Sequence, residues 1–251
     1  MNKISFSCTL YNSKAYTGGT IFLVSAFRTK LWHYRSVINA LNKRGFRVYV
    51  YTYKTESLLT AHPEDLADFS ARIVANITDT IAEHRKTDNR CLFGIIGVSA
   101  GSMVALHAAK KCPDLEKIML VTVPGGTAQN VWETPTLKKM KHKFESLNLS
   151  PGEVYEKLGY IEATYRLDLL ANRKMLIYAN EHDPVIRYQN TQLLIQEAQK
   201  QKIDLTLRHI EARRHSLTII KVFKDKASWL PFFLSLKDNT EIISSDEPTK
   251  S

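Results

Sequence analysis

Short apolar runs alternate with helix-patterned segments along most of the chain, and this rhythm constrains the fold more than any other feature. The runs "TIFLVSAF" (20–27), "FRVYVYTY" (46–53), "CLFGIIGV" (91–98), "EKIMLVTV" (116–123), "KMLIYAN" (174–180) and "IDLTLRHI" (203–210) are rich in β-branched and aromatic residues and have strand length. Between them, "LWHYRSVINALNKRG" carries apolar residues at helical spacing and stops on Gly45. Residues 63–86 open with Pro63 and two acids, as a helix start does. Strands that rejoin their sheet through helices run parallel, so the pattern predicts an α/β protein with a mostly parallel central sheet and helices on both faces. A chain of 251 residues, 44% of them hydrophobic, is long enough to bury such a core.

The rhythm fails between Pro124 and Asn172. That stretch holds no convincing strand but does hold helical faces: Leu137, Met140, Phe144 and Leu147 share one, and Val154, Leu158, Ile161 and Tyr165 another. The expected organisation is a core of residues 1–123 and 173–251 carrying a helical cap insertion, 124–172, over the C-terminal edge of the sheet, where open α/β sheets bind ligands. The closing "DNTEIISSDEPTKS" is polar and reads as a loose tail.

One turn asks for chemistry. "GVSAG" (97–101) joins the apolar run 91–98 to the helical "AGSMVALHAAKK". Glycine weakens strands and helices alike, so two of them around one serine answer a backbone demand rather than a packing one. A G-x-S-x-G at a strand-to-helix turn has the form of a nucleophile elbow, in which the serine backbone is strained and the helix N-terminus faces the reacting centre. The plainer reading is that Ser99 caps the helix.

A serine hydroxyl needs a base to take its proton, and an imidazole serves when a carboxylate holds its tautomer. "YANEHDPVI" places Asp183 just past the run 174–180, and "HIEARRHSLTII" places His215 just past 203–210. Glu181 and Asp168 are rival acids. His33, His62, His84, His107, His142 and His209 read as structural or solvent-facing.

With Ser99, Asp183 and His215 in this order, each after its strand, the chain resembles the α/β-hydrolase family from about residue 19 to 235. The resemblance implies that Ser99 attacks a carbonyl, His215 acts as general base and then acid, and Asp183 orients His215. It also implies an oxyanion hole made by the backbone N–H groups of Ala100 and Phe27, the latter in the loop after the run 20–25. Where the family commonly carries His-Gly in that loop, this chain has Ser25 and Ala26, and Arg214 replaces the glycine usual before the histidine. The expected activity is hydrolysis of carboxylic esters or thioesters through an acyl-enzyme, with no metal and no organic cofactor. The altered loops leave open a non-catalytic binding protein on the same fold. "GVSAGS" is also similar to the elbow of patatin-like lipases, which pair serine with aspartate, although the Asp-Gly dipeptide they need downstream is missing.

The net charge of +10 suits an anionic partner, and its distribution points to the same sheet edge. Arg28, Arg213, Arg214 and Lys138, Lys139, Lys141 and Lys143 would gather there, either as a solvated face or beside a pocket for an acyl group joined to an anion. Arg28, Arg214, Trp132 and Met140 are the substrate-binding candidates, with Leu137, Phe144 and Tyr165 as further apolar cap positions. No nucleic-acid module and no basic stripe with interleaved aromatics is visible, which argues against nucleic acid as a partner. Cys8, Cys91 and Cys112 cannot all pair and match no zinc spacing, so reduced thiols in a cytoplasmic protein are expected. No run is long and apolar enough for a signal peptide or a membrane span.

Overall fold

The computed structural model describes residues 4–27 and 29–243. In chain order the first half comprises β1 (Phe6–Tyr11), β2 (Gly19–Val24), α1 (Arg35–Asn42), β3 (Arg47–Tyr53), α2 (Thr55–Leu59), α3 (Pro63–Thr87), β4 (Leu92–Val98) and α4 (Gly101–Lys111). The second half comprises β5 (Leu115–Val121), α5 (Thr127–Glu133), α6 (Lys138–Glu145), α7 (Pro151–Leu158), β6 (Lys174–Ala179), α8 (Tyr188–Lys200), β7 (Asp204–His209), α9 (His215–Lys224) and α10 (Lys226–Ile243). A single 3-10 turn, Leu31–Tyr34, leads into α1.

The described strands form one seven-stranded sheet in the order β1-β3-β2-β4-β5-β6-β7. All neighbours are parallel except β1, which pairs antiparallel with β3 at the edge. The chain steps outward from β2 to β3, then crosses back to β4 on the other side of β2. Loops leaving β2 and β4 therefore diverge, and the crevice between them opens at the C-terminal edge.

Alternation along the strands splits the core between two faces. Phe93 and Ile95 of β4 pack with Phe69, Ile73 and Ile77 of α3, Val104 and Ala108 of α4 and Leu194 of α8. Ile96 and Val98 pack instead with Val37 and Leu41 of α1, Val222 of α9 and Trp229 and Phe233 of α10. Both faces being covered, the inner strands read as continuous apolar runs, which is why the sequence shows them plainly.

Helix ends follow simple electrostatics. Pro63 opens α3, Glu64 and Asp65 lie in its first turn, and His84, Arg85 and Lys86 lie in its last, each sign matching the helix dipole. Gly45, at φ 85°, turns the chain from α1 toward β3.

Between β5 and β6 the chain forms α5, α6 and α7 with short 3-10 turns, and no strand among its described residues. Val131, Met140, Phe144, Val154, Leu158 and Ile161 build a small core there, against Leu59 of α2 and partly buried Phe27, Leu66 and Met103. This segment thus packs over the loops at the C-terminal edge. Two parts of the chain depart from the sequence reading: β1 was not anticipated, and α10 runs through Ile243, so the first residues of the supposed loose tail are helical. Residues 244–251 of that tail lie outside the described residues.

Candidate active site

Ser99 sits in the turn between β4 and α4 with φ at 52°, in the left-handed region that a side chain with a Cβ occupies at a cost. Its N–H is held by the carbonyl of Val121 at 2.8 Å, which ties the turn to the end of β5. The two flanking glycines do different jobs. A Cβ on Gly97 would lie 2.5 Å from the Cα of Ser102 and 2.7 Å from the Cβ of Ala105, so Gly97 lets β4 lie against α4. A Cβ on Gly101 would lie 2.4 Å from the carbonyl oxygen of Val24 and 2.6 Å from that of Ser25, so Gly101 admits the loop leaving β2.

His215 opens α9 and Asp183 lies in the turn after β6. The Nε2 of His215 is 2.9 Å from the Oγ of Ser99, and its Nδ1 is 2.7 Å from Oδ2 of Asp183. The aspartate side chain is 1% exposed and the histidine 17%, so the carboxylate is sealed behind an imidazole that still reaches solvent. The other carboxylate oxygen, Oδ1, accepts the backbone N–H groups of Val185 (2.8 Å) and Ile186 (3.0 Å), which fixes its orientation.

The rival acids and bases are engaged elsewhere. Glu181 pairs with His209 at 3.1 Å and Asp168 with Arg166 at 3.1 Å, both on exposed surface. His33 stacks on Trp32, His84 meets the side chains of Arg47 and Tyr49, and His107 meets Ser70. Ser99 faces an imidazole rather than a carboxylate, an arrangement unlike a serine–aspartate dyad.

The loop after β2 is pinned by two tyrosines that the sequence did not flag. Ser25 donates its N–H to the carbonyl of Tyr51, and its own carbonyl accepts the hydroxyl of Tyr53 at 2.6 Å. Ala26 donates its N–H to the Tyr34 hydroxyl at 2.8 Å, Tyr34 lies 2.8 Å from the Thr29 hydroxyl, and Thr29 donates back to the carbonyl of Ala26. Burial pushes the Tyr34 phenol up to about 12, so it stays protonated. The next N–H along, that of Phe27, has no protein acceptor among the described residues, and neither has that of Ala100. Asn180, at the end of β6, is a second unflagged residue. It donates to the carbonyl of Ala212 and the hydroxyl of Thr218, binding the turn of Asp183 to the turn of His215.

An apolar cavity of about 70 Å³ opens beside Ser99. Its wall includes Phe27, Phe69, Met103, Val131, Met140 and Ile186. Of the substrate-binding candidates among the described residues Met140 lines it, and of the further apolar cap positions Leu137 does, whereas Phe144 and Tyr165 do not. Trp132 packs its ring on Phe144 at 6.0 Å, because both belong to the small core of the 124–172 segment, and Arg214 is exposed as the residue preceding α9. Arg28 lies outside the described residues. None of Lys138, Lys139, Lys141 and Lys143 contributes to the wall.

Titratable side chains are buried behind that cavity. Lys110 donates to the carbonyls of Glu162 (2.7 Å), Ala163 (3.2 Å) and Tyr160 (3.4 Å), while the Glu162 carboxylate accepts the N–H groups of Thr127 and Ala128, both at 2.7 Å. Burial pushes Lys110 down to about 7 against the pull of Glu162. Burial, with Lys110 and Lys111 nearby, also lowers His107 to about 4. The sign follows: between about 6.5 and 4 the unfolded chain binds a proton at this histidine that the native state refuses, so stability is lost as pH falls through that window. Denaturant titrations at pH 7 and pH 4 should show wild type losing roughly 3 kcal/mol more than His107→Gln.

Residues 32–235 match the prolyl oligopeptidase family. No curated protein matches the chain by sequence. Among solved structures, it is similar to an inhibited esterase B from Lactobacillus rhamnosis, with 11% identity, a TM-score of 0.67, and 98% of this chain and 91% of that one covered. It is similar also to carboxyl esterase 2 from the mycorrhizal fungus Tuber melanosporum, with 15% identity, a TM-score of 0.63, and 95% and 88% covered. A third is Est1E from Butyrivibrio proteoclasticus with ferulic acid bound, at 14% identity and a TM-score of 0.63, with 92% and 96% covered. At these identities the likeness is one of fold. Among the described residues no helix is long and apolar enough to cross a membrane.

Proposed function

This chain belongs to the prolyl oligopeptidase family, which has the α/β-hydrolase fold, and on that premise we propose that it is a serine hydrolase cleaving carboxylic esters or thioesters through an acyl-enzyme on Ser99. The observation that carries the reading is the relay from Asp183 through His215 to Ser99, at 2.7 and 2.9 Å, opening on an apolar cavity. His215 takes the Ser99 proton as the hydroxyl oxygen attacks the carbonyl carbon, then returns it to the leaving oxygen or sulfur. Water enters, loses a proton to the same imidazole and attacks the acyl carbon, and the imidazole hands that proton to Oγ of Ser99 as the C–O bond breaks and the acid leaves. The uncommitted N–H groups of Phe27 and Ala100 receive the negative charge of each tetrahedral intermediate, and the N-terminus of α4 adds its partial positive charge. The segment 124–172 acts as a cap whose Met140, Val131 and Ile161 close over the acyl chain.

An ester fits the wall better than a peptide. Amide groups of a peptide would lose their water against an apolar surface that gives few partners back, whereas an acyl chain has nothing to satisfy. The test is labelling by a fluorophosphonate probe, followed by turnover of p-nitrophenyl esters, acyl thioesters and a prolyl p-nitroanilide. Labelling with ester or thioester turnover above anilide turnover is expected. A folded sample that takes no label supports a binding protein instead, and anilide turnover above the rest makes the enzyme a peptidase.

The tyrosine pins supply a further prediction. Tyr34→Phe removes the acceptor of the Ala26 N–H and frees the loop that carries Phe27. Kinetics on the best ester should show kcat falling by about 10- to 100-fold with KM little changed, because a misplaced donor weakens binding of the transition state far more than binding of the substrate.

A further inference from the structure

The cavity wall is not apolar throughout. Ser70, on α3, faces it while being 1% exposed overall, and its Oγ lies 2.8 Å from Nδ1 of His107 on α4. The other polar side chains of the wall each have a partner of their own, Ser99 being the one that faces His215. The Tyr53 hydroxyl donates to the carbonyl of Ser25, the Thr127 hydroxyl to the sulfur of Met103, and the Asn130 carbonyl oxygen accepts from Thr134. A serine hydroxyl offers one donor and two acceptor positions, so a single bond to His107 leaves capacity unused.

The depth of this spot follows from α4. His107 is eight residues beyond Ser99, about 12 Å along a helix, and helical side chains lean back toward the N-terminus. Ser70 therefore sits roughly 8–10 Å from the nucleophile, the span of an extended chain of about seven or eight bonds. Met103 and Val104 of α4 and Leu66 and Phe69 of α3 also line the cavity. His107 is itself held: its ring stacks on Tyr160 with centroids 5.7 Å apart and planes 14° apart. It stays neutral at pH 7 for the reason given above, so Nδ1 either accepts the Ser70 proton or donates to Ser70 Oγ. In the first case Ser70 offers lone pairs to a ligand hydroxyl, and in the second it offers a proton to a hydroxyl or carbonyl oxygen.

We infer that the acyl cavity ends in a polar subsite, Ser70 backed by His107, which selects acyl groups of about seven or eight bonds that carry an oxygen at the far end. The inference rests on the hydrolase reading and specifies its substrate class. A plain alkyl end meets a polar group it cannot pair with, whereas a terminal hydroxyl exchanges its lost water for the Ser70 bond.

The probe pair is the p-nitrophenyl ester of ω-hydroxyheptanoic acid and that of octanoic acid, in which a hydroxyl replaces a methyl of similar size. The readout is the ratio of their kcat/KM values, which does not depend on the fraction of folded enzyme. Ser70→Ala should lower the ratio of hydroxylated to plain ester by at least about tenfold, and Ser70→Thr, which keeps the hydroxyl, should hold it within about threefold of wild type. A ratio unchanged by Ser70→Ala overturns the subsite. Calorimetric binding of the two free acids to the same proteins reads selectivity without catalysis. Selective binding that Ser70→Ala abolishes sustains the subsite even if no ester turns over, a result that would overturn only the hydrolase reading. Binding with no preference for the hydroxylated acid in wild type overturns the subsite.

Discussion

Ser99→Ala is expected to lower kcat on the best ester by about 10⁵- to 10⁶-fold and to abolish fluorophosphonate labelling, with the far-ultraviolet spectrum unchanged. The fall corresponds to roughly 7–8 kcal/mol of lost transition-state stabilisation, which is the difference between a covalent route and unassisted attack by water. Alanine keeps the Cβ that already stands at φ 52°, so the turn gains no new clash and the melting temperature should move by only a few degrees. His215→Ala should cost a similar factor. The double variant should be no worse than either single one, because once the hydroxyl is gone the imidazole has no proton to take, and the 2.9 Å contact joins one machine rather than two. Residual turnover above water is expected from the Phe27 and Ala100 N–H groups, which neither substitution removes. Ester hydrolysis within tenfold of wild type in Ser99→Ala would move the nucleophile to another residue.

How much of this was written in the sequence depends on the kind of interaction that fixes each part. The inner strands are buried on both faces, so burial alone makes each a continuous apolar run, and the order of strands and helices could be read residue by residue. The edge strand β1 escapes such a reading because no residue of "FSCTLY" is more than partly buried, so it lacks the continuous apolar run that marks the inner strands, although its apolar and polar residues alternate. The three residues brought together at Ser99 were legible because each follows a strand, and a parallel sheet delivers all such positions to one edge. The candidates chosen by residue type alone fared differently. Trp132 and Arg214 stand out as aromatic and basic near that edge, but which way a side chain turns is set by what packs around it: Phe144 holds the first, and its place before α9 leaves the second in solvent. Tyr34, Tyr53 and Asn180 were invisible for the same reason. Each acts through a hydrogen bond to backbone of another element, and nothing in local pattern or propensity encodes such a partner.

Asp183→Asn separates orientation from folding, and its expected result is a drop in kcat of about 10⁴-fold with KM and stability close to wild type. Asparagine has the shape of aspartate, and its carbonyl oxygen can keep accepting from the N–H groups of Val185 and Ile186. That choice forces the amide NH₂ toward Nδ1 of His215, so Nδ1 must become the acceptor and the ring proton moves to Nε2. The nitrogen facing Ser99 then carries a proton and cannot take another. Flipping the amide would cure the tautomer only by pressing NH₂ against two backbone donors, inside a site where the side chain is 1% exposed and water cannot help. Asp183→Ala makes the contrast. It strands those two N–H groups at about 1–3 kcal/mol each and loosens Val185 and Ile186, which line the acyl cavity, so it should raise KM and lower the melting temperature as well as kcat. Steady-state kinetics and thermal melts on the pair decide the matter: an asparagine variant that turns over within tenfold of wild type would show that His215 does not depend on Asp183 for its tautomer, and a variant that loses KM and stability together would show that the carboxylate holds the turn rather than the imidazole.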